Sequence, residues 1–189
     1  MISSSPIMLY VGAGSHRMSG FLHAEISIFK EKKKGLNVAP PEFLCDVTDK
    51  IPLDDESVDF IYSRATLEHF TYRELVNHLL ECQRVLKVGG LVRACVPDFD
   101  AFVRDYQAGV MRSGTEWVEP NPDFPVRSST EYFIYQMMYH DHYYLHNSET
   151  LSNLLGSTGF FEIEVKGEGE TRMSAASVQL VDAEEGRSI

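Results

Sequence analysis

The sequence has no apolar run approaching the ~20 residues that a bilayer-spanning helix needs. Met1 to Tyr10 carry neither basic residues nor a long apolar stretch, so neither a secretory leader nor a membrane span is expected, and the chain reads as cytoplasmic. Basic residues are short: 17 Lys and Arg stand against 28 Asp and Glu, a formal net charge of −11. That balance argues against nucleic acid as a partner, which calls for basic surface to neutralise phosphates, and it disfavours an anionic membrane face. Cysteine is sparse, with only Cys45, Cys82 and Cys95 and no C-x-x-C. A disulfide framework is thereby excluded, and with apolar neighbours the three thiols read as reduced core filler. Internal repeats and low-complexity tracts are missing too. What remains is ordinary for a globular protein: 189 residues, 43% hydrophobic and 24% charged, which predicts one domain over residues 1–189.

Strand and helix signals alternate along the first half. Ile7 to Val11 is a short apolar run that stops at Gly12-Ala13-Gly14, the pattern of a buried strand entering a tight turn. Phe21–Ile26, Phe43–Cys45 and Val58–Ser63 are the next strand candidates. Thr71-Tyr72-Arg73-Glu74 fits a capping box, and Leu75, Leu79, Cys82 and Leu86 recur behind it at helical spacing. The reading ends this helix at Gly89-Gly90 and starts a fifth strand at Leu91. Phe99 to Gly109 reads as helix. The pattern then loosens into an insertion or lid at about 110–146, rich in Pro, Gly and acids near Trp117 and dense in Tyr, Met and His from Thr130 to His146. Within it the Tyr132–Tyr144 stripe has the composition of core or of a homodimer interface. A helix opening at Asn147 or Ser148 and ending at Gly159 follows, with Phe161–Val165 and Ala176–Val181 as two closing strands. Such alternation predicts an α/β fold with a mostly parallel sheet, which binds ligands beyond the carboxyl ends of its strands.

The residues at those ends are chemically suggestive. The glycines of Gly12-Ala13-Gly14 permit positive φ and close approach of backbone to a ligand, although tight turns without ligands use them as well. Arg17 stands where the third glycine of a dinucleotide fingerprint would be, which lowers the odds of a pyrophosphate-bearing cofactor. Glu25 can accept two hydrogen bonds from a ribose diol, or be an exposed acid at a strand end. Asp46 can accept an exocyclic amine, or cap the turn toward Thr48. Ser63-Arg64-Ala65 emerges from a buried strand ahead of Leu67-Glu68-His69, where His69 is either a hydrogen-bonder or a group poised near neutrality for proton transfer.

Taken together these segments are specific. Leu9 to Gly14, Gly20 to Ile26, Cys45-Asp46-Val47, Ile51 to Ser63, Leu67-Glu68-His69 and Arg84 to Gly90 stand in the order of the motifs of class I S-adenosylmethionine-dependent methyltransferases. The stretch Met8–Asp98 resembles in particular the small type 11 members of that family, and His142 to Phe160 is similar to the family's tail. The resemblance implies a Rossmann-like seven-stranded sheet in the order 3-2-1-4-5-7-6, with helices on both faces and an insertion after strand 5. It implies S-adenosyl-L-methionine as cofactor. Val11, Gly12, Ala13 and Gly14 would then pass under its methionine part, Glu25 would hold the ribose, Asp46 and Val47 the adenine, and Ser63, Arg64 and Ala65 the middle. Arg17 or His16 would contact the cofactor carboxylate or face solvent.

Methyl transfer to a hydroxyl benefits from a general base, and His69, His142 and His146 are the candidates. The trio His140, His142 and His146 is too loosely spaced to predict a metal site. By analogy alone, a small molecule or glycan-type hydroxyl is the expected acceptor. Two other readings stay open: a non-catalytic cofactor-binding scaffold of the same fold, and an NAD-dependent oxidoreductase.

Overall fold

The structure is a computed structural model that describes residues 6–14, 16–26, 39–110, 126–139 and 141–166. Strands β1 (Met8–Val11), β2 (Phe21–Glu25), β3 (Phe43–Leu44), β4 (Val58–Arg64) and β5 (Leu86–Cys95) form one sheet in the order β3-β2-β1-β4-β5, all neighbours parallel. The expected order holds for these five. Of the two closing strands, Ala176–Val181 lies outside the described residues. Phe161–Val165 is described and is not a strand: its side chains are exposed, Phe161 at 78% and Val165 at 61%. In the expected order strand six pairs only with strand seven, so among the described residues it has no ladder to join.

Alternation within the strands sends side chains to two faces. Leu9, Val11, Ala24 and Ile61 go to one, where they pack with Cys82 and Val85 of helix α1 (Tyr72–Val85). Tyr10, Phe21, Phe60, Tyr62 and Cys95 go to the other, with Tyr10 and Tyr62 edge-on at 4.9 Å between ring centroids. Leu75 and Leu79 of α1 also meet Leu151 and Leu154 of α4 (Ser148–Ser157), which fixes the two helices on the first face.

Both predicted helix starts are present. Thr71 and Glu74 form a reciprocal capping box on α1, and Asn147 and Thr150 form one on α4. The predicted end of α1 is corrected. It stops at Val85, four residues before the glycines, because the carbonyls of Arg84 and Val85 accept from the N–H groups of Glu56 and Ser57, both at 2.9 Å. β5 then begins at Leu86. Val58 pairs with Leu86 and Phe60 with Leu91, so Lys87 to Gly90 bulge outward, with Gly89 at φ +80° and Val88 91% exposed.

Helix α2 (Phe99–Gln107) follows as expected. In the predicted insertion, Trp117 and residues 111–125 lie outside the described residues. The rest forms α3 (Ser129–Ile134) and a π-helical turn, Tyr135–Tyr139. Tyr132 and Tyr135 are buried with Val126, so this part of the aromatic stripe is core, while Met138 and Tyr143 are 73% and 66% exposed. The chain then returns over the end of the sheet: Asp98 and His146 form a parallel bridge, and the Phe99 N–H donates to the His146 carbonyl at 2.8 Å.

Candidate functional site

The glycine turn after β1 is held from three sides. The Gly12 N–H continues the β1–β2 ladder to the Ala24 carbonyl at 3.0 Å. Gly12 and Gly14 sit at φ +68° and +55°, where a side chain is strained. The Glu25 carboxylate accepts from the Gly14 N–H. Beneath the turn, a Cβ on Gly12 would lie 2.1 Å from Thr66 Oγ1, so Gly12 gives way to a threonine of its own chain. Sequence reasoning missed Thr66; its only signal was its place two residues after the β4 end.

Arg17 is half-buried and His16 is exposed. The Arg17 guanidinium folds back onto the carbonyls of Gly14, His16 and Ala39 at 2.7–3.0 Å and fastens the turn.

Glu25 and Asp46 converge at the ends of β2 and β3, where the Cys45 N–H donates to the Glu25 carbonyl at 2.8 Å. Burial, then the charges of Asp46 and Glu25, push the Cys45 thiol up. Asp46 Oδ1 accepts from the Thr48 N–H and hydroxyl at 2.9 and 2.6 Å, so the turn-capping alternative is realised; Oδ2 is the atom open to a ligand amine. Val47 is buried, and its carbonyl accepts from His78 Nδ1 at 3.0 Å, which ties this loop to α1.

Ser63, Arg64 and Ala65 end β4. Ser63 pairs with Val11 in register; its hydroxyl is buried and has no hydrogen-bond partner among the described residues. A buried hydroxyl of this kind between two strand ends suits a polar ligand there. The Arg64 side chain is buried, 4% exposed, and Ala65 sits at φ +48° with its N–H on the Cys95 carbonyl.

Beyond them a 3-10 turn, Leu67–His69, carries the second half of the site. The Glu68 carbonyl accepts from the N–H groups of Tyr143 and Tyr144 at 2.8 and 3.3 Å, which pins the returning segment to this turn. His69 and His142 face each other with ring centroids 5.1 Å apart. His142 Nδ1 donates to the Gln136 carbonyl at 2.7 Å, and His69 Nδ1 donates to the Asp141 carbonyl at 3.3 Å. Glu68 is 1% exposed, and burial pushes its carboxyl up to about 7. Glu68 stood in a motif but was not picked out as a site residue, because nothing in the sequence marks it as buried.

The third histidine does not join this group. His146 is fully buried, its ring 5.0 Å from that of Tyr144, and neither ring nitrogen has a hydrogen-bond partner among the described residues. Burial pushes its pKa down to about 4, so the expectation of a base at His146 is replaced by a neutral core side chain. His140 lies outside the described residues.

Comparison with known proteins bears on the fold. Residues 11–94 match the profile of a family described as a methyltransferase domain, a span running from the end of β1 to the end of β5. No curated protein matches the chain. Among solved structures, a SAM-dependent methyltransferase from Archaeoglobus fulgidus aligns with a TM-score of 0.52 at 13% identity, over 95% of this chain and 77% of that one. A Haloferax volcanii complex between the Trm112 methyltransferase activator and a methyltransferase aligns at 0.51 and 16%, over 96% and 77%. A Haemonchus contortus phosphoethanolamine N-methyltransferase, solved with phosphomonomethylethanolamine and S-adenosylhomocysteine, aligns at 0.50 and 17%, over 86% of this chain but 35% of that one. At such identities the likeness speaks for the fold.

Proposed function

Taking residues 11–94 as a methyltransferase domain of the type 11 family as the premise, we propose that this chain transfers a methyl group from S-adenosyl-L-methionine to an oxygen of a small-molecule or glycan-type acceptor. The observation that carries this reading is the meeting of four features at the carboxyl ends of neighbouring parallel strands: the glycine turn after β1, Glu25 at the end of β2, Asp46 after β3 and, at the end of β4, the Ser63 hydroxyl, buried and without a partner among the described residues.

In this reading the turn from Val11 to Gly14 runs under the methionine end of the cofactor. Glu25 accepts from the ribose hydroxyls, Asp46 and the Val47 backbone take the adenine edge, and Ser63 to Ala65 line the middle. When bound, the sulfonium supplies a methyl group open to in-line displacement. The chain's own task is to align the acceptor with it, worth about 7–11 kcal/mol of barrier. His69 and His142 stand on the acceptor side. Nδ1 of each ring is engaged by a backbone carbonyl, so in this reading Nε2 is the nitrogen that would take a hydroxyl proton. The fold likeness to an enzyme solved with S-adenosylhomocysteine supports the choice of cofactor.

Calorimetric titration with S-adenosylmethionine, S-adenosylhomocysteine and NAD in parallel tests the reading. Micromolar binding of the two sulfur nucleosides and none of NAD is expected. NAD binding, or no binding of any of the three, overturns it. Binding without turnover on any hydroxylated acceptor of a broad panel would point to the scaffold alternative.

A further inference from the structure

Glu68 and His69 lie in the turn beyond β4, and His142 reaches them from a segment more than seventy residues later. One ligand atom from each of the three side chains lies within 4.8 Å of the other two. Some point is then within about 2.8 Å of all three, against about 2.0–2.2 Å for a metal bond to imidazole or carboxylate, so an ion would draw each ligand in by less than about 1 Å.

Three further features are those of a prepared ion site. Each histidine gives its Nδ1–H to a backbone carbonyl, His142 to Gln136 and His69 to Asp141, which orients the ring. Glu68 is 1% exposed, and its Oε2 has no hydrogen-bond partner among the described residues, a costly state for a carboxylate that a cation relieves. Asp141, whose carbonyl meets His69, sits at φ +56°, a non-glycine residue in the left-handed region directly before His142.

We propose that Glu68, His69 and His142 bind one divalent first-row ion of the zinc class. Two imidazoles and one carboxylate favour Zn2+, Co2+ or Ni2+ over Mg2+ or Ca2+. Three protein ligands leave a coordination position open, as in reactive rather than purely structural sites. The ion site stands on ligand geometry alone. Its use, to hold the acceptor oxygen at the open position, rests on the methyl-transfer reading and turns His69 and His142 from proton acceptors into ligands.

The test uses the full chain freed of metal by dialysis against a chelator. It is titrated with Co2+, followed by visible absorption and calorimetry, with Mg2+ in parallel. One equivalent of Co2+ with a ligand-field band, displaced by Zn2+, is expected. Binding should weaken by at least tenfold in H142A, H69A and E68Q and stay unchanged in H16A. Zn2+ should raise the Tm of the parent chain and not that of H142A. If E68Q fails to fold, H142A and H69A, checked by circular dichroism, decide. No stoichiometric Co2+ binding, equal binding by H142A, or tighter binding of Mg2+ than of Co2+ overturns the proposal. S-adenosylhomocysteine is titrated into the same metal-free protein. Its binding without Co2+ binding sinks the ion site alone, and the reverse sinks the methyl-transfer reading alone.

Discussion

Glu25 has two tasks in the structure proposed to hold the cofactor: its carboxylate ends β2 facing the site, and it also accepts the Gly14 N–H. Replacement by alanine removes both. E25A should weaken S-adenosylhomocysteine binding by roughly 1.5–3 kcal/mol, the scale of a hydrogen bond to a charged group. E25Q, which keeps an acceptor for Gly14 but loses the charge, should lose less. Calorimetry on the two variants checks this, and unchanged affinity in E25A removes Glu25 from the site. At this scale the sequence was legible where chemistry is carried by residue type. The glycines and the two acids follow strands recognisable from apolar runs. It was not legible where the reason is a neighbour: nothing in the sequence says that Thr66 lies where a side chain on Gly12 would go, or that the Arg17 guanidinium reaches the carbonyls of Gly14, His16 and Ala39.

At the scale of elements, α1 shows both what local pattern tells and where it stops. Its capping box is a local contract among four residues, so it is readable directly. T71A should cost about 1 kcal/mol, and up to about 2, by taking the hydroxyl from the Glu74 N–H; urea denaturation measures it, and a loss under a few tenths would mean the cap is redundant. The helix's end is not local. Arg84 spends its guanidinium on the carbonyls of Ile51 and Leu53 and on the carboxylates of Asp55 and Glu81, all within 2.6–2.9 Å. The segment it grips then takes the last carbonyls of the helix. Gly89-Gly90 resembles a helix stop in sequence and is a bulge in fact, because the register of β5 against β4 is decided by tertiary pairing. Arg84 and Ile51 to Asp55 both lie in motifs, and between these residues the contacts are structural.

The molecule as a whole hides a histidine, and that sets a pH dependence. His146 titrates near 4 when folded, against an ordinary value of 6.5. Between those values the unfolded chain binds a proton that the folded chain refuses, so this contribution to stability is present above pH 6.5 and is lost as pH falls toward 4. His78, also buried and also shifted down, acts in the same direction. Glu68, shifted up, acts in the opposite one, so the informative quantity is a difference between variants. The unfolding free energy of the parent chain, read from urea titrations, should fall more from pH 7 to 4.5 than that of H146F, by up to about 3 kcal/mol. Parallel slopes would show that His146 is solvated. The order of the first five strands was legible, since alternation and motif order carry it. That His142 would meet Glu68 and His69 while His146 sank into the core was not, because four residues of spacing do not say which side of a returning loop faces the sheet.

The two amide bonds from Tyr143 and Tyr144 to the Glu68 carbonyl have a consequence in time. On a ribosome adding about 5–20 residues each second, the peptide carrying Glu68 is made roughly 4–15 s before its donors. The glycine turn, Glu25, Asp46 and the end of β4 are all synthesised by then. A nascent chain thus has the strand ends of the proposed cofactor site in hand well before the segment that donates to the Glu68 carbonyl exists, and for that interval these two bonds cannot form.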